Sequence, residues 1–226
     1  MLDVACGTGI ITREIAHRLV GPSHIVSVDI NPAMIEVARR NMPAGSRSCE
    51  FVVASVDDMP FKDAAFDVAF CQQGLQFFPD QATALAEIRR VSRNGANLCV
   101  TCWAAVPQFF QIVSDVLGRH LDDTAARKAV EPFMWNDGVL IRALVEQAGF
   151  ECPAPTQLRV DRKMPFSARA VRNELLASPN EPALRQAGEV AITEVVEAIL
   201  EHLSRFQRGD DLIMPQTAHL FWATAV

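Results

Sequence analysis

The chemistry-bearing residues of this chain begin at its first strand. Leu2-Asp3-Val4-Ala5-Cys6 is apolar around one carboxylate and runs into Gly7-Thr8-Gly9. Glycines at 7 and 9 let backbone approach a ligand closely, beside the unpaired amides that open a following helix. Asp29 lies 20 positions after Gly9, near the end of the next apolar run. A carboxylate there can accept hydrogen bonds from two ribose hydroxyls. Glycine turns and strand-end aspartates each also serve as plain turn and cap residues. Together, in a β-α-β frame, they favour an adenosine-bearing ligand.

The pattern narrows which one. A dinucleotide fingerprint needs a third glycine three places after the second, and that position is Thr12. The chain has no tyrosine to act as the acid/base of a short-chain dehydrogenase. No Gly-Lys-Ser/Thr follows the first glycine, so a nucleoside-triphosphate loop is disfavoured as well. A nicotinamide enzyme therefore ranks third among the readings.

A second group follows the fourth apolar run: Gln72, Gln73, Gln76, Phe77 and Phe78, with Trp103, Phe109 and Phe110 further on. These residues could line an acceptor pocket, with Gln73, Gln76, Phe77, Trp103 and Phe109 as the substrate-binding set and Phe133 and Trp135 as later additions. Any single aromatic fits a core position equally well. Three glutamines within residues 72–76 are harder to assign to packing. His120, His202 and His219 are the candidate bases, each also readable as a solvated or core histidine. Cys99 and Cys102 form a C-x-x-C, but residues three apart in a strand face opposite sides, and no second pair completes a zinc site. No metal is expected, and the six scattered cysteines read as reduced thiols of a cytoplasmic protein.

The elements that must position these residues alternate. Strands are expected at Leu2–Cys6, Ile25–Ile30, Glu50–Ala54, Phe66–Cys71 and Asn97–Trp103. Helices are expected at Ile10–Val20, stopped by Gly21-Pro22, at Pro32–Asn41 behind an Asn31 cap, and at Gln81–Val91, closed by Asn94-Gly95. Short turns between them give a doubly wound parallel sheet. The second half changes character. Residues 107–130 read as helix with a break near Gly118, and Asn136-Asp137 caps a helix that ends at Ala148 before Gly149. A strand follows over Thr156–Met164, then helices over Ser167–Ala177 and Ala183–Phe206, then a closing strand over Thr217–Thr224. The longer late helix carries Leu184, Ala191, Val195, Ile199, Leu203 and Phe206 on one face. With 226 residues, half of them hydrophobic, the chain can bury a full α/β core. Its net charge of −6 argues against a nucleic-acid groove, and it lacks an apolar run long enough to span a membrane.

Taken as a set, Leu2-Asp3-Val4-Ala5-Cys6-Gly7-Thr8-Gly9, Val28-Asp29-Ile30-Asn31-Pro32-Ala33-Met34, Met59-Pro60-Phe61 and Ala65-Phe66-Asp67-Val68 resemble the class I S-adenosylmethionine-dependent methyltransferases. The subgroup is the methyltransferase type 11 set that includes the ubiquinone/menaquinone C-methyltransferases. The resemblance covers about residues 1–105. It implies a Rossmann-like, doubly wound, mostly parallel seven-stranded sheet with a helical cap insertion at about 167–206. It implies one domain over 1–226, with a cofactor-binding half over 1–105 and a substrate-side half over 106–226. The cofactor would be S-adenosylmethionine and the partner a small, partly hydrophobic acceptor. By the resemblance, Asp3 and the backbone of Ala5, Cys6 and Gly7, beside Gly9, hold the methionine end. Asp29 holds the ribose, Ile30 and Met34 pack on adenine, and Gln72 contributes near the methionine moiety.

One departure matters. The family usually has Gly-Asp-Ala before its Leu-Pro-Phe-like segment, the Asp reaching the adenine amino group. This chain has Ala54-Ser55-Val56 there, so that contact is weakened or replaced, with Asp57 either a substitute or an exposed loop acid. Ser55 and Val56 are still expected at the adenine edge. The resemblance also implies a helical segment ahead of the first strand, so the start inside a strand reads as an N-terminal truncation; if that segment is absent, a short central strand, a more open cofactor cleft and weak or no activity are expected. The alternative reading is a non-catalytic cofactor-binding homologue or a truncated, inactive methyltransferase.

Overall fold

Consecutive buried residues explain the architecture. Along a strand, neighbours point to opposite faces, so a strand buried at every position must be covered on both sides. Leu2, Asp3 and Val4 are all buried, as are Ile25, Val26, Ser27 and Val28. The chain, a computed structural model, is described over residues 1–18, 23–43 and 49–226. It divides into two compact units.

The first unit comprises Met1–Cys102, Asp137–Thr156 and His219–Val226. Its elements open with β1 (Leu2–Val4), α1 (Ile10–Arg18), β2 (Ile25–Asp29), α2 (Pro32–Asn41), β3 (Cys49–Val53) and β4 (Phe66–Gln72). A short 3-10 turn over Leu75–Phe77 leads to α3 (Gln81–Val91) and β5 (Ser92–Trp103), whose last residue belongs to the second unit. Strands β1 to β5 pair in parallel: β3 with β2, β2 with β1, β1 with β4 and β4 with β5. The stop expected at Gly21-Pro22, with the last turn of the first helix, lies outside the described residues.

The second unit comprises Trp103–Asn136 and Gln157–Ala218. It begins with α4 (Gln108–His120), α5 (Asp123–Val130) and a 3-10 turn over Glu131–Phe133. The chain then returns to the first unit for α6 (Gly138–Gln147) and β6 (Phe150–Glu151), and β7 (Thr156–Pro165) leads back to the second. There α7 (Ala168–Leu176), α8 (Glu181–Leu203), a 3-10 turn over Ser204–Phe206 and β8 (Gln207–Arg208) follow, before the long β9 (Asp211–Ala225). The early residues of β9 pair with β8 in the second unit, and its late ones pair antiparallel with β6 in the first. Among the described residues the main strand order is β3-β2-β1-β4-β5-β9-β6, a mostly parallel doubly wound sheet of the expected class.

Caps set the local boundaries. The Asn31 side chain accepts the Ala33 amide, Asp80 those of Ala82 and Thr83, and Asp137 those of Val139 and Leu140. Each leaves its helix starting where the sequence predicts, within a residue.

The closing strand starts at Asp211 rather than Thr217, and three other boundaries differ for local reasons. Asn94-Gly95 does not close α3: the helix ends at Val91 and the chain passes directly into β5, where Ser92 pairs with Phe66 and Asn97 with Val68. The extra residues form a bulge in which Gly95 takes φ +78°. Gly118 does not break the helix after Pro107. It lies inside α4, where a Cβ would sit 3.4 Å from that of Ala126, so its small size lets α5 approach, and the break falls at Leu121-Asp122. The long late helix is interrupted at Gly188 (φ 92°, ψ 171°) and ends at Leu203. Its buried side chains are Leu184, Ile192, Val195, Val196, Ile199 and Leu203, so Ile192 and Val196 join the face in place of Ala191. They share the second unit's core with Phe109, Val116 and Leu117 of α4, Val171 and Leu175 of α7 and Met214 of β9.

Candidate functional site

The turn after β1 is built on departures from ordinary backbone at three alternate residues. Ala5, Gly7 and Gly9 have φ of +54°, +52° and +77°. Left-handed backbone is cheap for glycine and costs roughly 1 kcal/mol for alanine. The turn is closed by a 2.8 Å hydrogen bond from the Gly9 amide to the Cys6 carbonyl and tied to β2 by the Cys6 amide on the Val28 carbonyl at 3.0 Å. The two glycines do different work. A Cβ on Gly9 would lie 3.1 Å from that of Ala38, so Gly9 allows α2 to approach the turn. A Cβ on Gly7 would meet nothing within 4 Å: the space before it is open.

Asp29, at the end of β2, reaches back to this turn. Its Oδ2 accepts the Gly7 amide at 2.8 Å and its Oδ1 the Asn31 amide at 2.9 Å. One carboxylate thus fixes the glycine turn and the start of α2 together. Beside it, Ile30 is 70% exposed and Met34 41% exposed, an apolar shelf on an otherwise polar helix start. Ala54 continues the rim, with its amide on the Asp29 carbonyl at 3.2 Å. Ser55 is half-buried and its hydroxyl receives the Asp57 amide at 3.5 Å, while Val56 is buried and Asp57 exposed.

Asp3 lies beneath the turn and is only 1% exposed. Its Oδ2 accepts both the Thr12 amide (3.1 Å) and the Thr12 hydroxyl (2.6 Å), and that hydroxyl pairs with Ser27 Oγ at 2.7 Å. Burial raises its carboxyl to about 6, against the opposing pull of the Thr12 hydrogen bonds. As the structure stands, Asp3 braces the first turn of α1 rather than facing outward to a ligand. The Cys6 thiol is pushed well above its ordinary range by burial, with Asp3 and Asp29 adding to the shift. It is therefore no nucleophile at neutral pH.

Gln72 is exposed at the end of β4, and Gln73 follows in left-handed backbone at φ +53° with its amide on the Thr101 carbonyl at 2.9 Å. Gln76 Nε2 donates to Gln73 Oε1 at 3.3 Å, and Phe77 is 63% exposed. Trp103 and Phe109 fall in the second unit. Trp103 lies tilted against Phe133 (5.8 Å between ring centres), Phe133 tilted against Phe110 (4.4 Å), and Phe110 meets Phe109 edge-to-face (5.2 Å). Phe109 is fully buried there, beneath the Arg162 guanidinium at 4.8 Å. The expected acceptor residues thus divide: Gln73, Gln76 and Phe77 lie in the first unit, Trp103 and Phe109 in the second. His219 is buried, where a Cβ on Gly138 would come within 2.9 Å of its ring; His120 and His202 lie exposed in the second unit.

Other residues of the site go beyond those expected from the sequence. Thr12 stands where a dinucleotide turn has glycine, and a threonine on the inner face of α1 is itself a signal. Ser27, the polar residue in an apolar strand, is another. Gly74 backs onto the turn: a Cβ there would lie 2.7 Å from that of Ala5 and 3.0 Å from Cys71 Sγ. Arg162 had no signal beyond its charge.

A family model described as a methyltransferase domain matches residues 2–100. The ubiquinone/menaquinone biosynthesis C-methyltransferase UbiE of Hahella chejuensis is 40% identical over 103 residues, 44% of this chain and 41% of that one. The O-methyltransferase cnsE of Penicillium expansum is 38% identical over 104 residues, 44% of this chain and 36% of that one. The match thus spans about two fifths of the curated relatives' length. Among solved structures, a phosphoethanolamine N-methyltransferase 2 of Haemonchus contortus, in complex with phosphomonomethylethanolamine and S-adenosylhomocysteine, aligns with a TM-score of 0.57 at 17% identity, over all of this chain and 48% of that one. At that identity the likeness is one of fold.

Proposed function

We propose that this chain is a class I enzyme that transfers a methyl group from S-adenosylmethionine to a small, partly hydrophobic organic acceptor, a reading supported by the match of residues 2–100 to a methyltransferase-domain family model. The observation that carries the reading is the turn over residues 5–9, held by Asp29 and open before Gly7. The residues fit the cofactor. The open backbone at Gly7 suits the methionine end, the Asp29 carboxylate the ribose, and the exposed apolar pair Ile30 and Met34 a flat base.

The sulfonium, when bound, is an already activated methyl donor, so the difficult chemistry belongs to the cofactor. The protein's work is then to hold and orient. Asp29 keeps the turn in register with α2, and Asp3 keeps the start of α1 in place from below through Thr12. Gln72, exposed at the end of β4, is assigned a contact near the methionine moiety, and Gln73, Gln76 and Phe77 the side that meets the acceptor. Water exclusion and alignment of the accepting atom supply the rate.

The names of the two relatives speak of C- and O-methyl transfer. Phe77, exposed beside the Gln73–Gln76 pair, favours a neutral acceptor with an apolar ring and a polar substituent. Incubation with S-[methyl-³H]adenosylmethionine and a panel of hydroquinones, catechols and simple phenols tests this. Label appearing in an organic-soluble product supports it, and no label in any product counts against it. Ser55 favours a second reading, a chain that binds the cofactor without turning it over. That reading predicts saturable binding of S-adenosylhomocysteine together with no labelled product. No helix among the described residues is long and apolar enough to cross a membrane.

A further inference from the structure

The loop joining β3 to β4, residues 54–65, carries Ser55 and Val56. Its own bonds at that end are weak: the Asp58 amide lies 3.4 Å from the Ser55 carbonyl and the Asp57 amide 3.5 Å from the Ser55 hydroxyl. Both distances are near the limit for a hydrogen bond.

The other end of the loop is gripped by two residues of α3. Glu87 Oε1 accepts the Met59 amide at 2.8 Å. Arg90 Nη2 donates to the Met59 carbonyl at 3.2 Å, and Arg90 Nη1 to the Phe61 carbonyl at 2.8 Å and to Asp63 Oδ1 at 2.7 Å. The two side chains lock each other, with Arg90 Nε on Glu87 Oε2 at 2.6 Å and Nη2 on Glu87 Oε1 at 2.7 Å. The Arg90 carbonyl then takes the Ala64 amide at 2.9 Å. An ordinary i,i+3 surface pair stabilises its own helix weakly and touches nothing else. This pair spends its hydrogen bonds on the backbone of a distant loop, and the Glu87 side chain is only 12% exposed. Arginine suits the task, because its planar fork meets several carbonyl and carboxylate oxygens at once, as a lysine cannot.

We propose that Glu87 and Arg90 are positioning residues for the adenine edge of the cofactor site: they fix the loop so that Ser55 and Val56 stand in place before ligand arrives. The proposal rests on reading the β1 turn as the S-adenosylmethionine site. It also accounts for how the chain manages without the family's aspartate at position 55. An aspartate offers two charged oxygens one atom further out; serine offers a single short, neutral hydroxyl, so recognition at this edge depends more on the backbone being held. A loop ordered in advance does not charge its ordering entropy to binding.

The test is calorimetric titration of the full chain and of Arg90→Met, Arg90→Lys and Glu87→Gln. Two ligands are used: S-adenosylhomocysteine, and S-inosylhomocysteine, which has an oxo group in place of the adenine amino group. The wild type is expected to prefer the adenosyl ligand. Arg90→Met should weaken its binding about tenfold and lose most of that preference, with inosyl binding less affected. Arg90→Lys should fall between, at about threefold. Glu87→Gln keeps an oxygen for the Met59 amide but loses the charge that locks Arg90, and should match Arg90→Lys; it carries the test if Arg90→Met does not fold. A folded Arg90→Met that binds both ligands within twofold of the wild type overturns the proposal, as does a uniform loss on both ligands with the preference intact. A wild type that binds neither ligand overturns this proposal and the cofactor reading together, and so is distinguishable from failure of the proposal alone.

Discussion

Asp29 Oδ2 and the Gly7 amide stand 2.8 Å apart, so the carboxylate assigned to the cofactor's ribose also holds the turn assigned to its methionine end. The other oxygen binds the Asn31 amide. Each bond is assisted by the full charge of the carboxylate and contributes about 1.5–3 kcal/mol by general experience. Asp29→Ala should therefore lower S-adenosylhomocysteine affinity more than tenfold and also lower the melting temperature of the ligand-free chain. Asp29→Asn keeps one oxygen acceptor and should fall between. Calorimetry and differential scanning fluorimetry on the same preparations check both. An Asp29→Ala protein that melts as the wild type does would contradict the bracing role.

Gly74 and Ala5 form a second coupled pair. Gly74→Ala would drive one methyl group to 2.7 Å from another, a contact that must displace the turn. The expected loss is about 1–3 kcal/mol of stability, with weakened cofactor binding. Ala5→Gly alone removes the left-handed alanine and should cost little. The double variant should recover the larger part of the Gly74→Ala loss, a coupling of about 1 kcal/mol or more. Additive losses in urea denaturation would refute the contact.

Buried Asp3 predicts a pH dependence of known sign. Its carboxyl is raised from 3.8 to about 6 in the folded chain. Between those values the folded state holds a proton that the unfolded state has released, so stability falls as pH rises from 4 to 6 and stays lowered above it. The contribution is at most about 3 kcal/mol. Asp3→Asn, still able to accept from Thr12, should flatten that part of the stability profile. Parallel profiles for Asp3→Asn and the wild type between pH 4 and 6 would show that Asp3 is not the group responsible.

Ile30 separates binding from stability. It is 70% exposed without ligand, so Ile30→Ala should change the melting temperature little. Covering that side chain with adenine is worth about 1 kcal/mol, roughly a fivefold loss of affinity for the variant. A large stability loss with unchanged binding would move Ile30 into the core and out of the site.

Much of the first unit was legible. Near-continuous apolar runs identify β1, β2 and β4, while Asn31, Asp80 and Asp137 mark helix starts through local chemistry alone. The turn and Asp29 were readable because their spacing is set along the chain. What the sequence concealed depends on contacts between distant segments. Thr12 and Ser27 matter only because α1 brings them to Asp3. Gly95 resembles a helix stop, but sheet pairing at Ser92 ends the helix first and leaves the glycine in a bulge. Gly188 interrupts a helix whose apolar residues recur at helical spacing on both sides of it, and the buried face shifts to Ile192 and Val196 beyond the break. Glu87 and Arg90 look like a helix-surface pair until the loop they hold is in view.

The central claim is that the turn over residues 5–9, braced by Asp29, binds S-adenosylmethionine. Calorimetric titration of the wild-type chain with S-adenosylhomocysteine tests it most directly. The account predicts saturable heat at one ligand per chain, with affinity reduced more than tenfold by Asp29→Ala. No heat with either S-adenosylmethionine or S-adenosylhomocysteine, or equal binding by Asp29→Ala, would contradict it.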